Sequence, residues 1–126
     1  MLPISKSKFS RVEEKKKTYF IDIDGTIFKY RKFETYKIQK AELLVESKVF
    51  LQQVRDLGHM IILTTARPES LREHTIFELE SNNVPYDKLI MGIERGPRYL
   101  INDMDPNKPG ERAIAINVKR DHGIKS

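Results

Sequence analysis

The chain has 126 residues, with 23 lysines and arginines against 18 aspartates and glutamates, and no cysteine. That length fits one domain with a real core and leaves no room for a large second one, while the lack of thiols excludes disulfides and thiolate metal centres. Nothing in it resembles a secretory signal or a membrane span, so a soluble cytoplasmic protein is expected, and the formal charge of +5 suits an anionic substrate.

Residues 1–17 hold no convincing apolar period. Lys6, Lys8, Arg11, Lys15, Lys16 and Lys17 make them a basic leader, read as a solvated face rather than a nucleic-acid site, with the folded domain at 18–126. A first strand is expected over Tyr19–Ile23. It delivers Asp22 and Asp24, two residues apart, into the turn Gly25-Thr26. On an extended strand these carboxylates point the same way, and they repel unless they share a cation or a proton. An oxygen-only ligand set favours a hard ion such as Mg2+. Gly25 lets the chain turn sharply where a phosphate oxygen approaches backbone N–H groups.

From Phe28 to Lys40 there is room for a flap or a short helix, and none for a large lid. Ala41–Leu57 then carries Leu43, Leu44, Phe50, Leu51, Val54 and Leu57 as a helical stripe, closed by Gly58. The continuous apolar run Met60–Thr64 predicts a strand buried on both faces. Pro68 opens a helix to about Ser81, with Leu71, Ile76 and Leu79 inward. Leu89–Met91, Tyr99–Asn102 and Ala113–Val118 are read as three further strands. This alternation predicts an α/β fold: a single-domain, Rossmann-like three-layer α/β/α sandwich on a mainly parallel five-stranded sheet, with minimal or no cap.

Ligands of such sheets bind beyond the carboxyl ends of the strands, so residues there should converge on Asp22 and Asp24. Thr64 or Thr65 ends the second strand with a hydroxyl just ahead of a helix N-terminus, and Arg67 follows. Asn102-Asp103-Met104-Asp105 discharges acids after another apolar run. His59 and His74 read as packing or surface residues, and His122 has no ligand set around it.

Asp22-Ile23-Asp24-Gly25-Thr26 matches letter for letter the first motif of the haloacid dehalogenase-like (HAD) phosphohydrolases, so the chain resembles a small capless member of that family. Thr64-Thr65-Ala66-Arg67 resembles the second motif, which implies Thr65 as phosphate binder, or Thr64 if the strand ends a residue earlier, and Arg67 as a substrate contact. Asn102 to Asp105 resembles the fourth, which implies Asp103 as a metal ligand and Asp105 as a weaker candidate. Asn102 stands where many relatives carry another Asp. The third motif, a Lys or Arg that neutralises the phosphate, has Arg95 as first candidate and Arg98 and Lys88 as alternatives.

The resemblance implies Mg2+ held by the Asp22 carboxylate, the Asp24 backbone carbonyl and Asp103. Asp22 would be the nucleophile and Asp24 the general acid and base, with Gly25, Thr26, Thr65, Arg67 and Arg95 on the substrate. An aspartate at position 24 favours phosphatase over phosphonatase or dehalogenase chemistry, because an alkoxide leaving group needs an acid. The expected substrate is a sugar phosphate or another small phosphorylated metabolite, and the tail Ala115 to Arg120 looks like small HAD proteins of sugar-phosphate and surface-polysaccharide metabolism. A nucleic-acid 3′-phosphatase and a non-catalytic phospho-ligand-binding module are the alternatives. No membrane partner is expected, and a homo-oligomer covering the open site is one arrangement so small a cap allows.

Overall fold

Strands β1 (Thr18–Asp22), β2 (Met60–Thr64) and β3 (Lys88–Ile90) form a parallel sheet in the order β1-β2-β3. The computed structural model describes residues 16–125. Helix α1 (Val45–Asp56) joins β1 to β2, and helix α2 (Arg72–Ser81), entered through a 3-10 turn at Glu69–Leu71, joins β2 to β3.

Helix α1 forms because Ser47, Leu51 and Val54 recur at helical spacing and are all buried. It stops at Gly58, whose φ of +85° is a left-handed conformation that few side chains tolerate. The chain then re-enters the sheet with Met60 N–H donating to the Lys17 carbonyl. The register sets Phe20 beside Ile62 and Asp22 beside Thr64, so β1 and β2 end level. That level ending is what brings the two sequence motifs together.

Ile21, Ile61 and Leu63, at alternate positions of β1 and β2, share one core cluster with Leu51 and Val54 of α1 and Leu79 of α2. Both helices therefore cover the same face of the sheet. On the opposite face Phe20, Met60 and Ile90 are 53%, 41% and 44% exposed. Truncating a fully buried member such as Leu63 to Ala costs about 2 to 5 kcal/mol, a large part of the stability of a domain this size.

The fold is thus α/β, and it differs from expectation in three respects. The sheet has three strands, not five, among the described residues. Tyr99–Asn102 and Ala113–Val118 have strand-like composition but no partner strand; Tyr99 and Ile101 are 87% and 89% exposed. With helices on one face only, the described sandwich has two layers, and β2 is fully buried at Ile61 and Leu63 but not at Met60.

Of the basic leader, residues 1–15 lie outside the described residues. Lys16 Nζ donates to the Leu57 carbonyl and Lys17 N–H to His59 Nδ1, which makes His59 a packing residue at the α1–β2 turn. No described helix is long and apolar enough to cross a membrane.

Candidate active site

At the carboxyl end of β1 the chain closes a tight turn. The Ile23 carbonyl accepts from the N–H groups of Thr26, Ile27 and Phe28, and Gly25 N–H donates to the Phe28 carbonyl at 2.7 Å. Gly25 has a φ of +87°, and a Cβ there would sit 3.2 Å from Arg120 Cγ. Both the conformation and the space call for glycine. The Gly25 and Thr26 N–H groups bond inside this turn, and neither residue, both expected on the substrate, is among those that line the neighbouring cavity.

Asp22, Asp24, Tyr30, Tyr36, Thr65, Ala66, Arg67, Arg95, Gly96, Arg98 and Arg120 line a cavity of about 190 Å³. Four arginines face two aspartates, so it suits an anion. Of the residues anticipated from sequence, it gathers Asp22, Asp24, Thr65, Arg67 and Arg95. Thr65, one residue beyond β2, is 2% exposed, and its Oγ1 accepts from Arg67 N–H at 3.1 Å. That leaves the hydroxyl proton free to donate to an anion. Thr64 ends the strand in register with Asp22 and is not part of the lining. Among the cations proposed for neutralising phosphate, Arg95 and Arg98 are in the lining and Lys88 is not; Arg98 Nη2 lies 3.9 Å from Asp22 Oδ1.

Arg67 does not extend toward a ligand as a free substrate contact. Its side chain is fully buried, with Nε on Asp24 Oδ2 at 2.9 Å, Nη2 on Asp24 Oδ1 at 2.8 Å, and Nη1 shared between Thr75 Oγ1 and Glu78 Oε1. Burial opposes the Arg67 charge, but Asp24 and then Glu78 outweigh it and push its pKa above the ordinary arginine value. Behind it Arg31 holds Glu78 with Nη1 on Oε2 at 3.0 Å and Nη2 on Oε1 at 2.9 Å. The result is a buried chain of alternating charge, Asp24–Arg67–Glu78–Arg31. Burial raises the Glu78 pKa, yet the hydrogen bonds from Arg31 and Arg67 prevail and hold it below the ordinary glutamate value.

Tyr36 completes the cage. Its hydroxyl donates to Asp24 Oδ2 at 3.0 Å while its ring lies under the Arg67 guanidinium, 4.3 Å from centroid to Cζ. Burial first, then the neighbouring Asp24 charge, pushes the Tyr36 phenol up to about 12. Each carboxylate oxygen offers about two acceptor sites, so Asp24 Oδ2 is filled by Arg67 and Tyr36 whereas Oδ1 keeps one open. Burial is also the largest influence on Asp22, raising its pKa, with Asp24 adding to it and Arg98 opposing. His74 touches the network from α2, its Nε2 3.1 Å from Glu78 Oε2.

Asp103 is not brought into this group. Its side chain is 80% exposed and pairs with Arg112 at 3.6 Å, and neither it nor Asp105 lines the cavity. Among the described residues no cluster of three or more His, Asp or Glu is placed to hold a metal. The donors at hand are the Asp22 carboxylate and the Asp24 carbonyl, which accepts no backbone hydrogen bond from a described residue. That oxygen pair fits Mg2+, which keeps several waters and uses one or two carboxylates plus a substrate phosphate.

Sequence reasoning missed Tyr36, Glu78, Arg31 and Arg120. The available signal was in α2, where Thr75 and Glu78 are buried on the inward side beside Leu79, while Ile76, expected inward, is only half-buried.

No family model matches the chain, and no curated protein matches it. Among solved structures, a structural-genomics target from Vibrio cholerae is 20% identical over 68% of this chain and 79% of its own, with a TM-score of 0.50. A chain from a Pnkp1/Rnl/Hen1 complex is 23% identical over 67% of this chain and 30% of its own, with a TM-score of 0.56. At such identities the likeness is one of fold.

Proposed function

We propose that this protein is a Mg2+-dependent phosphomonoester hydrolase of HAD type, acting through an aspartyl-phosphate on Asp22. The observation that carries the reading is the pairing at the strand ends: Asp22 and Asp24 share one arginine-lined cavity with Thr65, and Asp24 alone is locked by Arg67 and Tyr36. A carboxylate held, among the described side chains, only by the long Arg98 contact at 3.9 Å beside a positioned one is what a nucleophile and a general acid–base need.

In this reading Asp22 Oδ forms a bond to phosphorus as the P–O bond to the leaving group breaks. The proton for the departing alkoxide comes from Asp24, and the open site on Oδ1 is the position that can carry it. Water then attacks phosphorus, gives its proton back to Asp24 and releases phosphate from Asp22. Thr65 and the arginines Arg95 and Arg98 bind and orient the phosphoryl oxygens. Mg2+, when held by the Asp22 carboxylate and the Asp24 carbonyl, supplies charge neutralisation for the transferring group.

A sugar phosphate or another small phosphorylated metabolite suits a cavity of about 190 Å³. A nucleic-acid 3′-phosphatase is the second reading, favoured by Arg120 stacked 4.0 Å over the Tyr30 ring at the cavity, a platform a base could extend. Phosphate release with Mg2+ is measured against sugar phosphates, nucleotides and a 3′-phosphorylated oligonucleotide, with Asp22→Asn and EDTA controls. Turnover lost in both controls is expected. A steep fall in activity with salt on the oligonucleotide would select the second reading, because several backbone phosphates would then be neutralised. Silence across the panel would replace both with a non-catalytic phospho-ligand module.

A further inference from the structure

We propose that residues 99–118 form an exchange arm that adds, in a second copy of this chain, to the edge of β1 that no described strand pairs, carrying Asp103 to that copy's Asp22 and Asp24. The exchange stands on strand direction and unpaired backbone; the part Asp103 then plays in the reaction rests on the phosphatase reading.

The arm has the composition of two strands and the environment of none. Tyr99, Leu100 and Ile101 on its outgoing branch and Ile114 and Ile116 on its return are all exposed. The backbone of 99–104 and 111–118 makes no backbone hydrogen bond to any described residue. Aromatic and β-branched runs with open N–H and C=O groups are templates for pairing with another chain. A matching edge exists on the same molecule. β1 has β2 on one side and no strand on the other among the described residues, and the sheet face beside it leaves Phe20, Met60 and Ile90 uncovered.

Direction selects a second copy rather than the same one. Both roots of the arm are fixed at the carboxyl end of their own β1: Arg98 sits beside Asp22, and Asp121 accepts from Tyr30 N–H at 2.7 Å while donating its own N–H to the Gly25 carbonyl at 2.8 Å. A strand leaving Arg98 along its own β1 would run antiparallel to it and carry Asp103 roughly 17 Å away from the site. To finish at an Asp22, the run must start at the amino end of a β1, and the root lies at the opposite end of its own. A two-fold axis that sets two β1 edges antiparallel puts each root beside the amino end of the other strand, so each arm runs parallel to the other copy's β1. Asp103 beside Asp22 then sets Ile101 beside Phe20 and Tyr99 beside Thr18. The arrangement supplies in one step the missing sheet neighbour and the third carboxylate that the described site lacks.

The absence of cysteine allows a direct test. Copies carrying Phe20→Cys and copies carrying Ile101→Cys are co-expressed and mildly oxidised; neighbouring strands at about 4.8 Å are within disulfide reach. A covalent dimer from the mixture, absent from either variant alone, is expected, and Thr18→Cys with Tyr99→Cys should repeat it. A link formed inside one copy of the doubly substituted Phe20→Cys/Ile101→Cys chain, or no link in either mixed pair, overturns the exchange.

Activity gives a second readout. Asp22→Asn and Asp103→Asn, each inactive alone, should regain about a quarter of wild-type turnover when co-expressed, because half the dimers are mixed and each mixed dimer has one intact site. No regain alongside an active wild type overturns the role of Asp103. A wild type without turnover overturns the phosphatase reading, and the cross-link still decides the exchange.

Discussion

Arg67 holds Asp24 at two points, Nε on Oδ2 and Nη2 on Oδ1, from a side chain with no exposure to solvent. A planar fork on a carboxylate fixes both the position and the tilt of its partner, which a single ammonium cannot do. Arg67→Lys should therefore keep the charge and lose the orientation. Steady-state kinetics are expected to give a kcat lower by about 100-fold with KM little changed, the loss typical of a misplaced reacting group. A rise in KM at constant kcat would instead make Arg67 a binding residue.

Glu78 anchors the far side of that fork and also receives Arg31. Removing its charge leaves the buried Arg31 with only the Tyr36 and Gln39 carbonyls and Arg67 with Asp24 as its one carboxylate, and breaking a buried pair from one side costs about 3 to 5 kcal/mol. Urea unfolding of Glu78→Gln at neutral pH should reveal a loss of that order. The sign in pH follows from a folded pKa held below the ordinary one: the stabilisation is complete above the ordinary glutamate range and is lost as pH falls through the lowered value. The gap between wild type and Glu78→Gln should close in acid.

The sheet and its motif-bearing ends were legible because a local pattern encodes them. The run Met60–Thr64 is both the predicted and the observed strand, and Asp22 and Thr65 meet because β1 and β2 pair in level register. The buried charge chain was not legible. Arg31 and Glu78 are 47 residues apart, and each alone has the composition of a solvated surface residue. Tyr99–Asn102 and Ala113–Val118 failed for a different reason: strand propensity expresses fit to a partner surface, and no described segment of the same chain supplies one.

Tyr36 makes its contribution to stability as a protonated donor to Asp24. Its folded pKa is raised from 10.0 to about 12, so the stability it lends is complete below the unfolded value and is lost as pH rises through the folded one. Between pH 10 and 12 the wild type should lose stability faster than Tyr36→Phe, and the difference between the two chains cancels the lysines and other tyrosines that titrate in the same range. Parallel losses in thermal melts across that window would show that the hydroxyl does not bond Asp24 in solution.

Asp22 is the opposite case, a carboxylate the fold makes costly to ionise. Burial is the main cause and the adjacent Asp24 charge adds to it, with Arg98 only partly offsetting them. A raised folded pKa means that protonated Asp22 favours the fold below the ordinary carboxylate pKa, and that this advantage is lost as pH rises through the raised value. At neutral pH without divalent metal, Asp22→Asn should therefore melt higher than the wild type, with the two converging in acid, even though the phosphatase reading expects it to lose turnover. Mg2+ should reverse the order. A cation on the Asp22 carboxylate offsets the very charge that burial penalises, so its addition should raise the wild-type melting temperature and leave Asp22→Asn unmoved. Equal shifts in both chains would place the ion elsewhere on the protein.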